Sequence, residues 1–281
     1  MVQRRFIQTD VFSATPTLGN GLAVVVDAEG MSDTDMQRFA AWTNLAETTF
    51  LLRPTDENAD YRVRIFTPAR EMPFAGHPTL GSCMAWLHAG HSPQTPGLVR
   101  QECAIGLVDI DLTGSVPAFV SPPTDVAAMP ETEQTRLLDA LDIDPTRVKS
   151  AVTLDNGPKW QLFELASAAN VLAADAARVH WPDHAGLALF GAHPAGSECD
   201  FEARNIAPSS GMSEDPITGS LNAAIACWLL SENRLQGSAI AAQGTAIGRT
   251  GRVEYRCDPA RPGQVLIGGA VNILIEGTLD L

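Results

Sequence analysis

Paired cysteines are the first thing this sequence lacks. Its five cysteines (Cys83, Cys103, Cys199, Cys227 and Cys257) form an odd, scattered set without a C-x-x-C pair. That pattern fits thiols kept reduced better than a disulfide framework, so a cytoplasmic chain is expected. The six histidines stand at no ligand spacing with the cysteines, so no metal site is expected. Positive charge is scarce as well, with 19 Lys and Arg against 33 Asp and Glu and a net charge of −14. Such a surface repels phosphate backbones and anionic lipid, which argues against nucleic acid and membranes as partners. An anionic substrate would need a local pocket of donors. Long apolar runs are also missing. No stretch approaches the length of a bilayer span, and MVQRRFIQTDVF places no apolar run behind its two arginines, so no signal peptide is expected.

What is present is ordinary globular material. The 281 residues are 45% hydrophobic and 19% charged, enough for one large domain or two modest ones. Gly21 to Asp27 (GLAVVVD) reads as a buried strand. Ser32 offers an N-cap to a helix whose apolar face is Met36, Phe39 and Ala40 and which fades near Asn44. Strands follow at Thr48 to Leu52 and Tyr61 to Thr67, then a small-residue helix from Pro78. The Pro- and Ser-containing SVPAFVSPPTD (Ser115 to Asp125) marks a candidate boundary. Beyond it the pattern predicts a helix near Glu131 to Leu141. Strands are expected at Ser150 to Leu154, Gln161 to Leu165 and Leu187 to Phe190, with an alanine-rich helix between Ala168 and Val179. The tail from Ala239 is strand-rich.

A faint repeat runs through this order. Tyr61, Arg64, Phe66 and Pro68 match Phe201, Arg204, Ile206 and Pro208 at an offset of 140. Glu71, Pro73 and Gly76 then match Glu214, Pro216 and Gly219 at an offset of 143. Both copies run strand, loop, E-x-P-x-x-G, one polar residue (His77 or Ser220), then a small-residue helix. The shared order predicts a duplicated half. Each loop delivers a glycine to a helix start, where the first backbone N–H groups point outward and favour an anion. Pro78 is expected at the first helical position. Two ordinary capped turns would read the same way.

Several segments resemble one family. GNGLAVV (Gly19 to Val25), NLAETTF (Asn44 to Phe50), RIFTPAREMPFAGHPTLG (Arg64 to Gly81) and EDPITGSLNAA (Glu214 to Ala224) are similar to the phenazine-biosynthesis PhzF-like proteins. QGTAIGRTGRVEY (Gln243 to Tyr255) and the Gly268-Gly269 pair are similar too, while Ser115 to Ala185 matches loosely. The resemblance implies an α+β fold of the diaminopimelate epimerase type: two pseudo-symmetric halves, each a curled sheet around a central helix, with the active site between them. The division is expected as residues 1–118 and 119–281, with the last strands free to return to the first half. It also implies a cofactor-independent isomerase that transfers a proton between carbons of a small carboxylate substrate, and a homodimer.

The resemblance assigns roles to particular residues, each with a plainer alternative. Glu47 falls where the family has its catalytic glutamate; a glutamate there is otherwise a surface group. His77 would hydrogen-bond the substrate and help relay a proton, and is otherwise a structural histidine. Asp215 would orient the substrate, or merely brace the turn before Pro216. Ser220 and the backbone N–H groups near Gly76 and Gly219 would hold substrate or intermediate, and Asn20 would help position it. Racemases of this fold use two cysteines at the helix starts. Here Cys83 and Cys227 lie further down the helices and read as buried small hydrophobes, which disfavours a two-thiol mechanism. Two rival functions remain open. Ser220, His77 and Asp215 are the right types for a hydrolase triad, although TGS lacks the G-x-S-x-G elbow. A non-catalytic small-ligand-binding protein is the other.

Overall fold

The computed structural model describes residues 2–180, 182–206, 214–258 and 261–281; Pro208, one of the repeat matches, lies outside them. The chain forms two compact units, Met1–Val120 with Gly268–Leu281, and Ser121–Ile267. The join falls inside the Pro- and Ser-containing segment. The last strand belongs with the first unit because it pairs antiparallel with the first strand from Gln3↔Asp280 to Val11↔Val271.

The first unit contains β1 (Gln3–Val11), β2 (Asn20–Val25), α1 (Asp33–Thr43), β3 (Glu47–Leu52), β4 (Tyr61–Phe66), β5 (Glu71–Met72), α2 (Gly76–His88), β6 (Leu98–Cys103), β7 (Gly106–Asp111), β8 (Ala118–Val120) and the final β17 (Val271–Asp280). Ser32 caps α1 by accepting the Asp35 N–H, and Asn44 ends it in the left-handed conformation. Met36, Phe39 and Ala40 form its buried face. Inside the sheet lies α2, buried on nearly every side, which is the behaviour of a helix apolar all round. It touches β17, β1, β2, β3, β6 and β8, so the sheet curls around it. Close approach requires small residues. A Cβ on Gly81 would stand 2.6 Å from a Leu22 methyl and 2.7 Å from the Thr9 hydroxyl.

The second unit contains β9 (Asp125–Ala128), α3 (Glu131–Leu141), β10 (Val148–Asp155), β11 (Lys159–Leu165), α4 (Ala168–Ala173), β12 (Leu187–Ala192), β13 (Phe201–Asn205), α5 (Gly219–Ser231), β14 (Ser238–Gln243), β15 (Gly251–Cys257) and β16 (Val265–Gly268). Its strand pairing repeats that of the first. β1–β2–β3–β4–β6–β7 alternate antiparallel, parallel, antiparallel, parallel, antiparallel. β10–β11–β12–β13–β14–β15 do the same. Like α2, α5 is buried on nearly every side and touches strands towards both ends of this order, β10 and β15. The fold is therefore α+β, built from two units of one topology.

Three local expectations are corrected. Pro78 is the third residue of α2, because Ala75 already accepts the Thr79 N–H at 3.2 Å; a missing N–H is still harmless in the first turn. The alanine-rich helix stops at Ala173, and Asp175 starts a separate turn by accepting the Ala177 N–H. Cys83 is fully buried, but Cys227 is half-buried, with its sulfur 3.2 Å from the Ser121 hydroxyl.

The repeated Arg and Glu residues form one ion pair in each unit. Arg64 on β4 grips Glu71 with two bonds of 2.7 Å and reaches Asp33, the first residue of α1, at 2.5 Å. Arg204 on β13 grips Glu214 at 2.9 and 2.7 Å and donates to the Val171 and Ala174 carbonyls at the end of α4. The two pairs differ in exposure: side-chain accessibilities are 24% and 42% for Arg64 and Glu71, against 3% and 1% for Arg204 and Glu214. Breaking a buried pair strands a charge, whereas an exposed pair is screened. Arg204→Met is therefore expected to cost about 3–5 kcal/mol in urea unfolding, and Glu71→Gln less than about 1 kcal/mol. Equal losses would refute this ranking.

Candidate active site

The parallel pairing of β2 with β3 sets Leu22 opposite Glu47, so Asn20 and Glu47 both stand at the entry of neighbouring strands. The start of α2 delivers His77 to the same place. The Asn20 amide lies 3.4 Å from His77 Nδ1, and His77 Nε2 lies 3.5 Å from Glu47 Oε2. Glu47 keeps 16% side-chain accessibility, whereas His77 is buried. Burial pushes the His77 imidazole down to about 3, so the ring is neutral across the physiological range. If Asn20 donates to Nδ1, the ring proton sits on Nε2 and faces the Glu47 carboxylate. Ala75, the N-cap of α2, gives no side-chain bond, and the Gly76 and His77 N–H groups have no acceptor within the helix.

One residue behind this group escaped the sequence reading. Asp10 on β1 is buried and accepts the Gly19 N–H at 3.0 Å, fixing the backbone immediately before Asn20. A side chain on Gly19 would come within 2.3 Å of the Val11 carbonyl, so the turn requires glycine there.

In the second unit the start of α5 carries Gly219 and Ser220, and Thr218 as N-cap gives no side-chain cap bond. Instead the Thr218 hydroxyl bonds Asp215 Oδ2 at 2.5 Å. Asn156, also missed, donates to the Ser220 carbonyl at 2.8 Å. It lies in the turn before β11, whereas Asn20 is the first residue of β2. Its offset from Asn20 is 136, outside the repeat's register; the shared Asn-Gly dipeptides, Asn20-Gly21 and Asn156-Gly157, were the available signal. Thus Asn20, Glu47, Gly76 and His77 are gathered in the first unit, and Asp215, Gly219 and Ser220 in the second.

A surface hollow of about 630 Å³ in the first unit, lined by Asp56, Glu57 and Glu102 among others, shares no residue with this group. Its carboxylates make it a poor place for an anion. Among the described residues no cluster of His, Cys, Asp and Glu is arranged to hold a metal ion, and no helix is long and apolar enough to cross a membrane.

Comparison with known proteins gives this geometry a context. The model of the phenazine biosynthesis-like protein family matches residues 9–277. The chain belongs to that family. Among family relatives, it is 34% identical to antisense-enhancing sequence 1 of Schizosaccharomyces pombe, covering 99% of each chain. It is 33% identical to a trans-2,3-dihydro-3-hydroxyanthranilate isomerase of Pseudomonas aeruginosa, covering 97% of this chain and 98% of the relative. A PhzF-family structure from Bacillus anthracis superposes over the whole of both chains with a TM-score of 0.82 at 20% identity. A predicted epimerase from Pseudomonas aeruginosa covers 98% of this chain and 99% of its own at a TM-score of 0.80 and 25% identity. A probable proline racemase shares the fold at a TM-score of 0.64. This member of the phenazine biosynthesis-like family is accordingly an isomerase.

The buried imidazole makes a testable contribution to stability. Its folded value, about 3, lies below its ordinary 6.5, so the unfolded chain takes up a proton that the folded chain refuses. That contribution is fully present above pH 6.5 and is lost as pH falls towards 3. Wild type should therefore lose up to about 1.4 kcal/mol per pH unit more than His77→Gln in urea unfolding across that window. Parallel slopes would show that His77 takes up its proton in the folded state.

Proposed function

We propose that this isomerase moves a proton between two carbons of a small carboxylate substrate, with Glu47 as the carrier. The observation that carries the reading is the 3.5 Å approach of Glu47 Oε2 to the Nε2 of a buried, neutral His77. The Glu47 carboxylate takes a proton from a substrate carbon, leaving the C–H electron pair delocalised on the substrate as a transient anion. The same carboxyl then returns that proton at another carbon, so nothing is consumed and no redox or metal cofactor is called for. A neutral imidazole cannot carry the proton as a cation at ordinary pH. His77 acts instead as an N–H donor, steadying the Glu47 carboxylate and then the substrate anion.

Asn20 holds the ring of His77. Gly76 and Gly219 offer backbone N–H groups, while Asp215 and Ser220 bind and orient the substrate. The named activity of the Pseudomonas relatives makes trans-2,3-dihydro-3-hydroxyanthranilate the first substrate to test. Five free thiols suit a reducing cytoplasm, and the resemblance to PhzF-like proteins supports a homodimer. A hydrolase triad is disfavoured, because both His77 ring nitrogens face groups of the first unit, Asn20 and Glu47.

Incubated with that substrate in deuterated water, wild type should yield an isomerised product, with deuterium on carbon wherever the carrier exchanges with solvent. Glu47→Gln should slow this by about a hundred- to ten-thousandfold, the usual share of a positioned acid–base group. Turnover that survives in Glu47→Gln would remove Glu47 from the role.

A further inference from the structure

We propose that Thr218 and Gln243 are positioning residues for Asp215, the last two links of a buried hydrogen-bond chain running from Tyr255 through Asn222. The inference rests on the reading that Asp215 holds substrate. Tyr255, Asn222, Gln243 and Thr218 are all buried. The Tyr255 hydroxyl lies 2.6 Å from Asn222 Oδ1, and Asn222 Nδ2 lies 2.7 Å from Gln243 Oε1. Gln243 Nε2 lies 3.1 Å from the Thr218 hydroxyl, which lies 2.5 Å from Asp215 Oδ2.

The direction of each bond follows from groups that have no choice. The Thr218 backbone N–H can only donate, and it meets Gln243 Oε1 at 3.0 Å. The Asp215 carbonyl can only accept, and it meets Gln243 Nε2 at 3.2 Å. The Gln243 amide is therefore fixed from both ends. Asn222 is fixed likewise, since its Nδ2 meets the Thr218 carbonyl at 2.9 Å. Its oxygen then faces Tyr255, which must donate; burial raises the Tyr255 hydroxyl well above its ordinary value and keeps the proton on it. Thr218 Oγ1 accepts from Gln243 and, at 3.1 Å, from Asn205. Its single proton is left for Asp215. The chain thus holds a hydroxyl donor against one carboxylate oxygen of Asp215.

The first unit contains an internal control. Gln101 lies on β6, the strand that matches β14, two residues out of register with Gln243, and it also sits between a tyrosine and a threonine. Tyr61 donates to Gln101 at 3.0 Å and Gln101 to Thr79 at 3.1 Å, but the Thr79 hydroxyl donates to the backbone carbonyl of Ala75 at 2.9 Å. A chain that only braces the central helix can therefore end on backbone. In the second unit it ends on the side chain assigned to the substrate.

A double-mutant cycle on trans-2,3-dihydro-3-hydroxyanthranilate turnover tests this, with thermal melting run on every variant. Thr218→Val should lower kcat/KM about ten- to hundredfold, the scale of a misplaced binding group, and Thr218→Ser should restore most of it. In an Asp215→Asn background, Thr218→Val should cost several-fold less, because the carboxylate it positions is gone. Thr218→Ala carries the same test if the valine variant does not fold. Losses that add across the two backgrounds, or full activity in Thr218→Val, would overturn the positioning role while Asp215→Asn alone remains impaired. An unimpaired Asp215→Asn would instead overturn the reading of Asp215 itself, and the inference with it.

Discussion

Each unit is organised by one arginine that holds three elements at once. Arg64 reaches from β4 to the short β5 ahead of α2 and to the first turn of α1. Arg204 reaches from β13 to the loop before α5 and to the last carbonyls of α4. A guanidinium suits this task because its planar fork satisfies a carboxylate with two bonds and still has donors to spare. The consequence is positional. The segment entering each central helix is tied to a strand of the sheet that surrounds that helix, tightly in the second unit, where the ion pair is buried, and more loosely in the first, where it is exposed. In neither helix does the N-cap residue make a side-chain cap bond, and the first N–H groups keep no partner within the helix.

That arrangement has a steric side. A helix buried on nearly every face must be met closely by strands, and where the backbones come nearest only small residues fit. Gly81, Ser82 and Cys83 illustrate this in α2, where a single Cβ on Gly81 would collide with β1 and β2 side chains. Polar function has little room along such a helix and collects at its start. Cys83 shows the contrast: deep in the helix, its thiol is pushed upward by burial and is ill suited to proton transfer. Glu47 and His77, at the strand entry and the helix start, are close enough to act together.

The sequence showed the elements with strong local signals and missed those whose reasons are tertiary. Ser32, Asn44 and the face Met36, Phe39, Ala40 were legible because capping and a 3.6-residue period are local properties. β1 was not, since QRRFIQTDV has no clean alternation and is held by β2 on one side and β17 on the other. The repeat exposed Arg64, Glu71, Arg204 and Glu214 as matching letters, but their meaning as ion pairs needed coordinates. Gln101 and Gln243 lay at nearly the same offset and were passed over, because a lone glutamine in a strand carries no signal until its partners are known. The helix after Ser167 ends earlier than its alanine-rich run predicts, because Asp175 starts a separate turn and Arg204 takes the Val171 and Ala174 carbonyls.

The two units also show how one topology supports two kinds of polar environment. In the first, His77 Nε2 has no hydrogen-bond partner among the described residues and faces a carboxylate at 3.5 Å, a distance that leaves room to tighten onto a substrate atom. In the second, the Gln243 amide makes four bonds and the Thr218 hydroxyl is engaged by three neighbours. A donor that must turn to a substrate anion works best where its bonding is incomplete, because a saturated donor has no proton to offer. A group that must hold an orientation gains from saturation, because each satisfied neighbour removes an alternative position. On this argument the first copy's helix start suits the chemistry proposed for it, and the bonds around Gln243 and Thr218 suit the orientation proposed for Asp215.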